Sequence, residues 1–246
     1  MTVIIKLGGS VITDKANPGV IHREVIAELA AAIAEAKTPA VIVHGAGSLG
    51  HPEAKAYGIA SGVGKENARG VFVTHTAVSR LNAEVVTALR EAGVEAVSFP
   101  PFASALAENG RLIFCGEEQI SSLLEAGIVP VLHGDVVMDR SLGGCIVSGD
   151  QIVPYLAKAL GADKIGIVTA TGGVLSGGEI IPEITRETVS AVSFSSADTA
   201  DVTGGMQGKV EELLSLAESG TPSHIFRPEM LAAFLAGNPC GGTLVK

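Results

Sequence analysis

Tryptophan is absent from this 246-residue chain, and aromatic residues make up only 4% of it. The core must therefore be built from small aliphatic side chains. The 31 glycines suit close contact between helices and a buried parallel sheet. Only three cysteines occur, Cys115, Cys145 and Cys240, and none share a CxxC spacing. That excludes a disulfide framework and a cysteine zinc site, and leaves free thiols in a reducing compartment. Basic residues are scarce, 17 against 26 acidic ones, for a net charge of −9. Such a field repels a polyanion and excludes nucleic acid as a partner, but a small anion can still bind where lysines gather. No apolar run approaches about 18 residues, so there is no membrane span. The stretch from Met1 to Ile5 runs straight into Lys6 and glycine without a secretory leader pattern, so the expected location is cytoplasmic.

Several catalytic signatures are missing as well. No Gly-x-Ser-x-Gly elbow surrounds Ser10 or Ser48, and no HExxH occurs. Lys6 precedes its glycines rather than following them, which rules out a Walker A loop. Residues 45–50 match GxGxxG, but no second strand delivers the acidic residue that a dinucleotide site needs about 20 residues later.

Two glycine clusters at the ends of apolar runs are what the chain does have. The first reads Ile4-Ile5-Lys6-Leu7-Gly8-Gly9-Ser10, and the second His44-Gly45-Ala46-Gly47-Ser48-Leu49-Gly50-His51. Glycines there expose backbone N–H groups with no side chain in the way, which makes an anion cradle. Two cradles so near in sequence suggest two phosphates held side by side, and hence phosphoryl transfer. Lys6 closes a buried strand, a position that costs desolvation unless the ammonium meets an anion. Lys15 lies in the following loop, within reach of the same anion. Lys209 follows a glycine-rich loop at a helix start, where free amides and the helix dipole already favour phosphate. Asp150 reads as a helix N-cap and also as a partner for lysines or Mg²⁺, and Asp135 as a similar partner. For His44 and His133, each before a glycine at a strand end, structural hydrogen bonding is expected.

Hydrophobic periodicity predicts strands at 3–6, 40–43, 96–99, 128–132, 164–168 and 242–245. It predicts helices at 21–37, 70–92, 119–126, 150–160 and 209–219. Residues 190–196 read ambiguously, and Gly143-Gly144 signals a hairpin. The alternation is that of an α/β fold with a mainly parallel central sheet. A seam between two lobes, 1–147 and 148–246, is expected near Ser148–Gln151.

Together these segments resemble the amino acid kinase superfamily, and within it the archaeal-type isopentenyl phosphate kinases. The resemblance runs from Val3 to Val245 and rests on Lys6-Leu7-Gly8-Gly9-Ser10, on the Gly47-Ser48-Leu49-Gly50-His51 ending, and on His133-Gly134-Asp135. Ser148-Gly149-Asp150 and Asp201-Val202-Thr203-Gly204-Gly205-Met206-Gln207-Gly208-Lys209 complete it. It implies an open αβα sandwich with an acceptor-binding N-terminal lobe and a nucleotide-binding C-terminal lobe, assembled as a homodimer. It implies ATP as donor, with Mg²⁺, and a small phosphorylated isoprenoid as acceptor. Under this resemblance His51, Ala46, Gly47, Gly50, Gly134, Asp135 and Gly149 contact the acceptor. Lys6, Lys15 and the Gly8-Gly9 amides hold the transferring group, and Asp150 orients Lys6 and Lys209. Ser10, Gly47, Thr169, Ala170, Gly205 and Lys209 contact the nucleotide.

The chemistry fits those residues, because a phosphate acceptor is already ionised and needs no general base. An apolar slot for the isoprenoid is expected on the 70–92 helix through Phe72, Val73 or Thr76, with Phe99 or Phe102 nearby. The chain departs from the superfamily at Thr169-Ala170-Thr171-Gly172-Gly173, which lacks the usual carboxylates, so an altered donor preference is expected. The alternatives are a kinase for another small phosphate or phosphonate such as fosfomycin, and a kinase-like binding module without turnover.

Overall fold

The structure, a computed structural model, describes residues 2–194 and 205–246. The N-terminal part runs β1 (Val3–Leu7), α1 (Gly9–Ile12), α2 (Arg23–Ala36), β2 (Ala40–His44), α3 (Gly47–Ala56) and α4 (Ala68–Glu91). It continues through β3 (Ala96–Ser98), α5 (Pro101–Ser104), β4 (Leu106–Glu108), β5 (Arg111–Phe114), α6 (Glu117–Glu125) and β6 (Val129–His133). A hairpin follows, β7 (Asp135–Asp139) and β8 (Gly143–Val147), as Gly143-Gly144 signalled. The remainder holds α7 (Gly149–Leu160), β9 (Lys164–Val168), β10 (Leu175–Ser176), β11 (Glu179–Ile180) and β12 (Glu183–Ile184). It ends with α8 (Gly205–Ala217), β13 (Ser223–Phe226), α9 (Leu231–Ala236) and β14 (Thr243–Val245).

Eight strands form one sheet in the order β12-β14-β13-β9-β1-β2-β6-β3, parallel except where β13 meets β14. A four-stranded sheet, β5-β4-β7-β8, stands beside it. β1 lies inside the large sheet, paired in parallel with β2 and β9. Its side chains alternate between two cores because a strand has period two. Val3, Ile5 and Leu7 pack with Ile26 and Leu29 of α2 and Leu81 and Val85 of α4. Ile4 packs on the other face with Ile152 and Leu156 of α7 and Leu213 of α8. Lys6 therefore shares the face of α7 and α8, which decides what its ammonium meets. By the same alternation His44 and His133, paired in register on β2 and β6, fall on the α4 face.

Most predicted elements are present with shifted ends. The second glycine cluster is not a plain loop: α3 opens within it, although glycines and Pro52 carry poor helix propensity. The cap of α7 is Ser148, which places Asp150 in the first turn rather than at the N-cap. β13 lies where no strand was expected. The stretch that reads ambiguously begins inside a short 3₁₀ turn, Val189–Ala191, and continues as irregular chain through residue 194. The motif residues Asp201, Val202, Thr203 and Gly204 lie outside the described residues, as do positions 195–196. No helix among the described residues is long and apolar enough to cross a membrane.

Candidate active site

The C-terminal ends of β1, β2, β6 and β9 open into a cavity of about 740 Å³. This is where open α/β sheets place their ligands, because loops diverge there and leave a crevice. Its cationic floor is a triad. Lys6 Nζ lies 3.1 Å from Asp150 Oδ1, and Lys209 Nζ donates to both Asp150 oxygens at 2.8 and 2.9 Å. One carboxylate thus gathers two ammonium groups from β1 and α8, leaving one positive charge in excess. Burial pushes the Lys6 ammonium down to about 8, with Asp150 opposing and Lys209 adding to that shift. Burial alone would raise the Asp150 carboxyl, but Lys209 and Lys6 outweigh it and hold the group well below the usual range. Gly149 makes the approach possible, since a Cβ there would lie 2.9 Å from Lys6 Cε.

The two glycine turns meet backbone to backbone. A Cβ on Gly9 would fall 2.7 Å from Gly47 Cα, and one on Gly45 would fall 2.8 Å from Gly9 N. No side chain fits at that contact. Gly47 has φ +57°, and a Cβ there would strike the Thr13 hydroxyl. Thr13 donates to Gly9 O at 2.7 Å and accepts from Ser48 N at 3.0 Å, fastening α1 to α3. Gly8 N–H is bonded to Val168 O at 2.9 Å, so it is not free for a ligand as the resemblance implied. The amides left at that turn are those of Gly9 and Ser10. Gly50 lets α3 approach α4, because a Cβ there would lie 2.4 Å from Val78.

Lys15, Ser10 and His51 line the same cavity, as do Ala46, Gly134, Asp135, Thr169, Ala170 and Gly205. Lys15 is exposed in its loop, whereas Lys6 and Lys209 are buried. Asp135 sits apart from the lysine triad and accepts from His75 Nδ1 at 2.9 Å and Val136 N at 2.8 Å. That hydrogen bond raises the His75 pKa, while burial raises that of Asp135. His75 went unnoticed in the sequence, where nothing marks it among the polar positions of α4. In the 169–173 segment, Thr169 Oγ1 accepts from Gly172 N at 3.1 Å and Thr171 Oγ1 donates to Gly173 O at 3.0 Å.

The apolar wall differs from expectation. Thr74 and Val78 of α4 face the cavity with Ala54, Ile146 and Val147. Phe72 is 70% exposed. Two residues of α-helix turn a side chain by about 200°, so a helix that buries Thr74 and Val78 sends Phe72 and Thr76 outward. Phe99 lines a separate groove beside β3, and Phe102 packs against His75 in a tilted pair with ring centroids 4.6 Å apart.

Among the described residues no group of three or more His, Cys, Asp or Glu is placed to hold a metal. The cavity carboxylates are already engaged, so these residues do not fit a protein-built Mg²⁺ cage.

Comparison with known proteins agrees with this geometry. The amino acid kinase family model matches residues 1–227. The isopentenyl phosphate kinase of Haloferax volcanii is 43% identical, covering 99% of this chain and 98% of its own. That of Methanothermobacter thermautotrophicus is 36% identical over the same shares. Among solved structures, one titled as X-ray structures of isopentenyl phosphate kinase superposes with a TM-score of 0.86 at 34% identity, over 99% of this chain and all of that one. The chain belongs to the amino acid kinase family.

Proposed function

We propose that this enzyme transfers the γ-phosphoryl group of ATP to isopentenyl phosphate, giving isopentenyl diphosphate and ADP. The observation that carries the reading is the meeting of the Lys6–Asp150–Lys209 triad with two abutting glycine turns beside an apolar wall. Similarity over nearly the full length to isopentenyl phosphate kinases supports the choice of acceptor.

Two anions must be brought together for this reaction, and their repulsion is the main obstacle. Phosphoryl transfer is largely positioning and charge stabilisation, so clustered ammonium groups and amides supply what it needs. In this reading Ala46, Gly47 and His51 hold the acceptor phosphate, with Gly50, Gly134, Asp135 and Gly149 shaping that end. Lys6, Lys15 and the Gly9 amide take the transferring group. Lys209, Ser10, Thr169, Ala170 and Gly205 take the nucleotide, and Asp150 keeps Lys6 and Lys209 together. The acceptor side falls mainly to residues 1–147 and the nucleotide side mainly to 148–246, with Ser10 and Gly149 reaching across the divide. The isoprenoid lies against Val78, Ala54 and Ile146. These residues would form no cage for Mg²⁺; carried in with the donor phosphates, the ion would supply charge neutralisation there. A homodimeric, cytoplasmic enzyme completes the reading. A coupled ADP-release assay with isopentenyl phosphate, dimethylallyl phosphate and fosfomycin tests it. Turnover fastest with isopentenyl phosphate is expected, and turnover with fosfomycin alone, or with none, overturns it.

A further inference from the structure

Beneath the acceptor end of the cavity lies a buried polar layer that the transfer chemistry does not use. His44 and His133 sit side by side at the ends of β2 and β6, their rings stacked with centroids 5.4 Å apart. Each turns its Nδ1 to the carbonyl of the glycine that follows it, His44 to Gly45 O at 3.0 Å and His133 to Gly134 O at 3.2 Å. The other nitrogen of His44 meets Asn82 of α4 at 3.0 Å, and Asn82 in turn meets Ser98 Oγ at 2.5 Å. All peptides of the described chain are trans. A trans peptide points its carbonyl and the next N–H in opposite directions. Holding Gly45 O against the imidazole therefore aims Ala46 N–H away from the ring, on the side of the cavity that Ala46 lines. Neither Ala46 N–H nor Gly47 N–H finds an acceptor among the described residues.

We infer that His44 and Asn82 are positioning residues for the acceptor: His44, as the neutral Nδ1–H tautomer fixed by Asn82, holds the Gly45 carbonyl inward and so presents the Ala46 amide to the acceptor phosphate. The inference rests on the proposed activity for the identity of that acceptor. The tautomer follows from donor and acceptor balance. As placed, both His44 nitrogens face oxygens, Gly45 O and Asn82 Oδ1, an arrangement only an imidazolium satisfies. His44 is fully buried, and both its burial and the nearby Lys6 charge disfavour that cation. A neutral ring with its proton on Nδ1 instead accepts at Nε2. The Asn82 amide is then rotated so that its NH₂ donates to Nε2 and its oxygen accepts from Ser98; oxygen and nitrogen of such an amide differ little in shape.

Two variants and one spectrum test this. His44→Asn places an amide nitrogen where Nδ1 was and keeps the donor, whereas His44→Phe keeps the stacked ring and loses it. Loss of one such hydrogen bond is expected to raise the KM for isopentenyl phosphate about tenfold in His44→Phe. The KM for ATP stays unchanged, and His44→Asn recovers most of the loss. A merely structural role would lower the melting temperature of both variants and leave the ratio of the two KM values alone, which overturns the inference. Long-range ¹H–¹⁵N correlations on histidine-labelled wild-type protein at pH 7 read the tautomer directly and need no variant to fold. An Nε2–H or doubly protonated His44 also overturns it. Inorganic phosphate titrated against the Ala46 amide resonance separates the two readings. If that resonance shifts and His44→Phe abolishes the shift while isopentenyl phosphate is not turned over, the activity fails and the positioning role stands. If isopentenyl phosphate is turned over normally and the resonance does not shift, the activity stands and the positioning role fails.

Discussion

Replacing Asp150 with asparagine removes the one charge that holds two buried ammonium groups together. Asp150 lies 3.1 Å from Lys6 and 2.8 Å from Lys209, and all three side chains are largely shielded from water. The variant keeps the shape but removes the charge that keeps Lys6 protonated, leaving a buried ammonium beside a neutral amide. Breaking a buried pair from one side costs about 3–5 kcal/mol, because the abandoned charge stays desolvated. For a chain of this size each kcal/mol shifts the melting temperature by roughly 2–4 °C, so a fall of about 6–20 °C is expected. Turnover is expected to drop by about 10²–10³, the usual cost of disordering a preorganised electrostatic site. The distinctive expectation concerns rescue: the phosphates of ATP replace the lost negative charge, so ATP raises the melting temperature of Asp150→Asn more than that of the wild type. Calorimetry with and without nucleotide, and a coupled ADP assay, measure both effects. A variant with kcat/KM near wild type and an unchanged melting temperature would refute the triad as the centre of the site.

The depressed Lys6 pKa, about 8, makes nucleotide binding take up a proton in alkaline solution. At pH 9 the unliganded Lys6 is mostly deprotonated and bound phosphates restore its proton, so binding heats should vary with buffer ionisation enthalpy more strongly at pH 9 than at pH 7. Identical heats across buffers at pH 9 would count against this. Gly9→Ala forces a methyl to within 2.7 Å of Gly47 Cα, and spreading the two turns should cost at least tenfold in kcat/KM; near-normal kinetics would show that their contact is dispensable. His75 carries a pKa raised by its hydrogen bond to Asp135. The folded state therefore binds the proton more tightly, and this stabilisation is present below pH 6.5 and lost as pH rises through the raised value. The melting temperature of the wild type should fall from pH 6 to 8 more steeply than that of His75→Gln; parallel curves would contradict it.

How much could be read from the sequence varies by residue. Lys6 was legible because a lysine ending a buried strand needs an anion, and period two on β1 then leads it to α7 and α8. The apolar wall was misplaced because the rotation of α4 depends on which stripe the tertiary contacts bury, and Phe72 loses to Thr74 and Val78. α3 was hidden because Gly47, Gly50 and Pro52 argue against a helix locally, while packing of Gly50 on Val78 requires one. Asn82 left a faint signal, a lone amide in the stripe of Val78, Leu81, Val85 and Leu89. Only the neighbouring strands reveal His44 as its partner.

Where Gly9 rests on Gly45 and Gly47, the spacing between the two glycine turns, and in the proposed reading between the reacting ends, is set by main-chain radii alone. A side chain at Gly9 or Gly45 can only force the turns apart and cannot draw them closer. In the proposed reading the tail slot, by contrast, is lined by side chains of α4 and β8 that stand clear of it. Selection or engineering can therefore lengthen, shorten or reshape the tail slot while the reacting geometry stays constant.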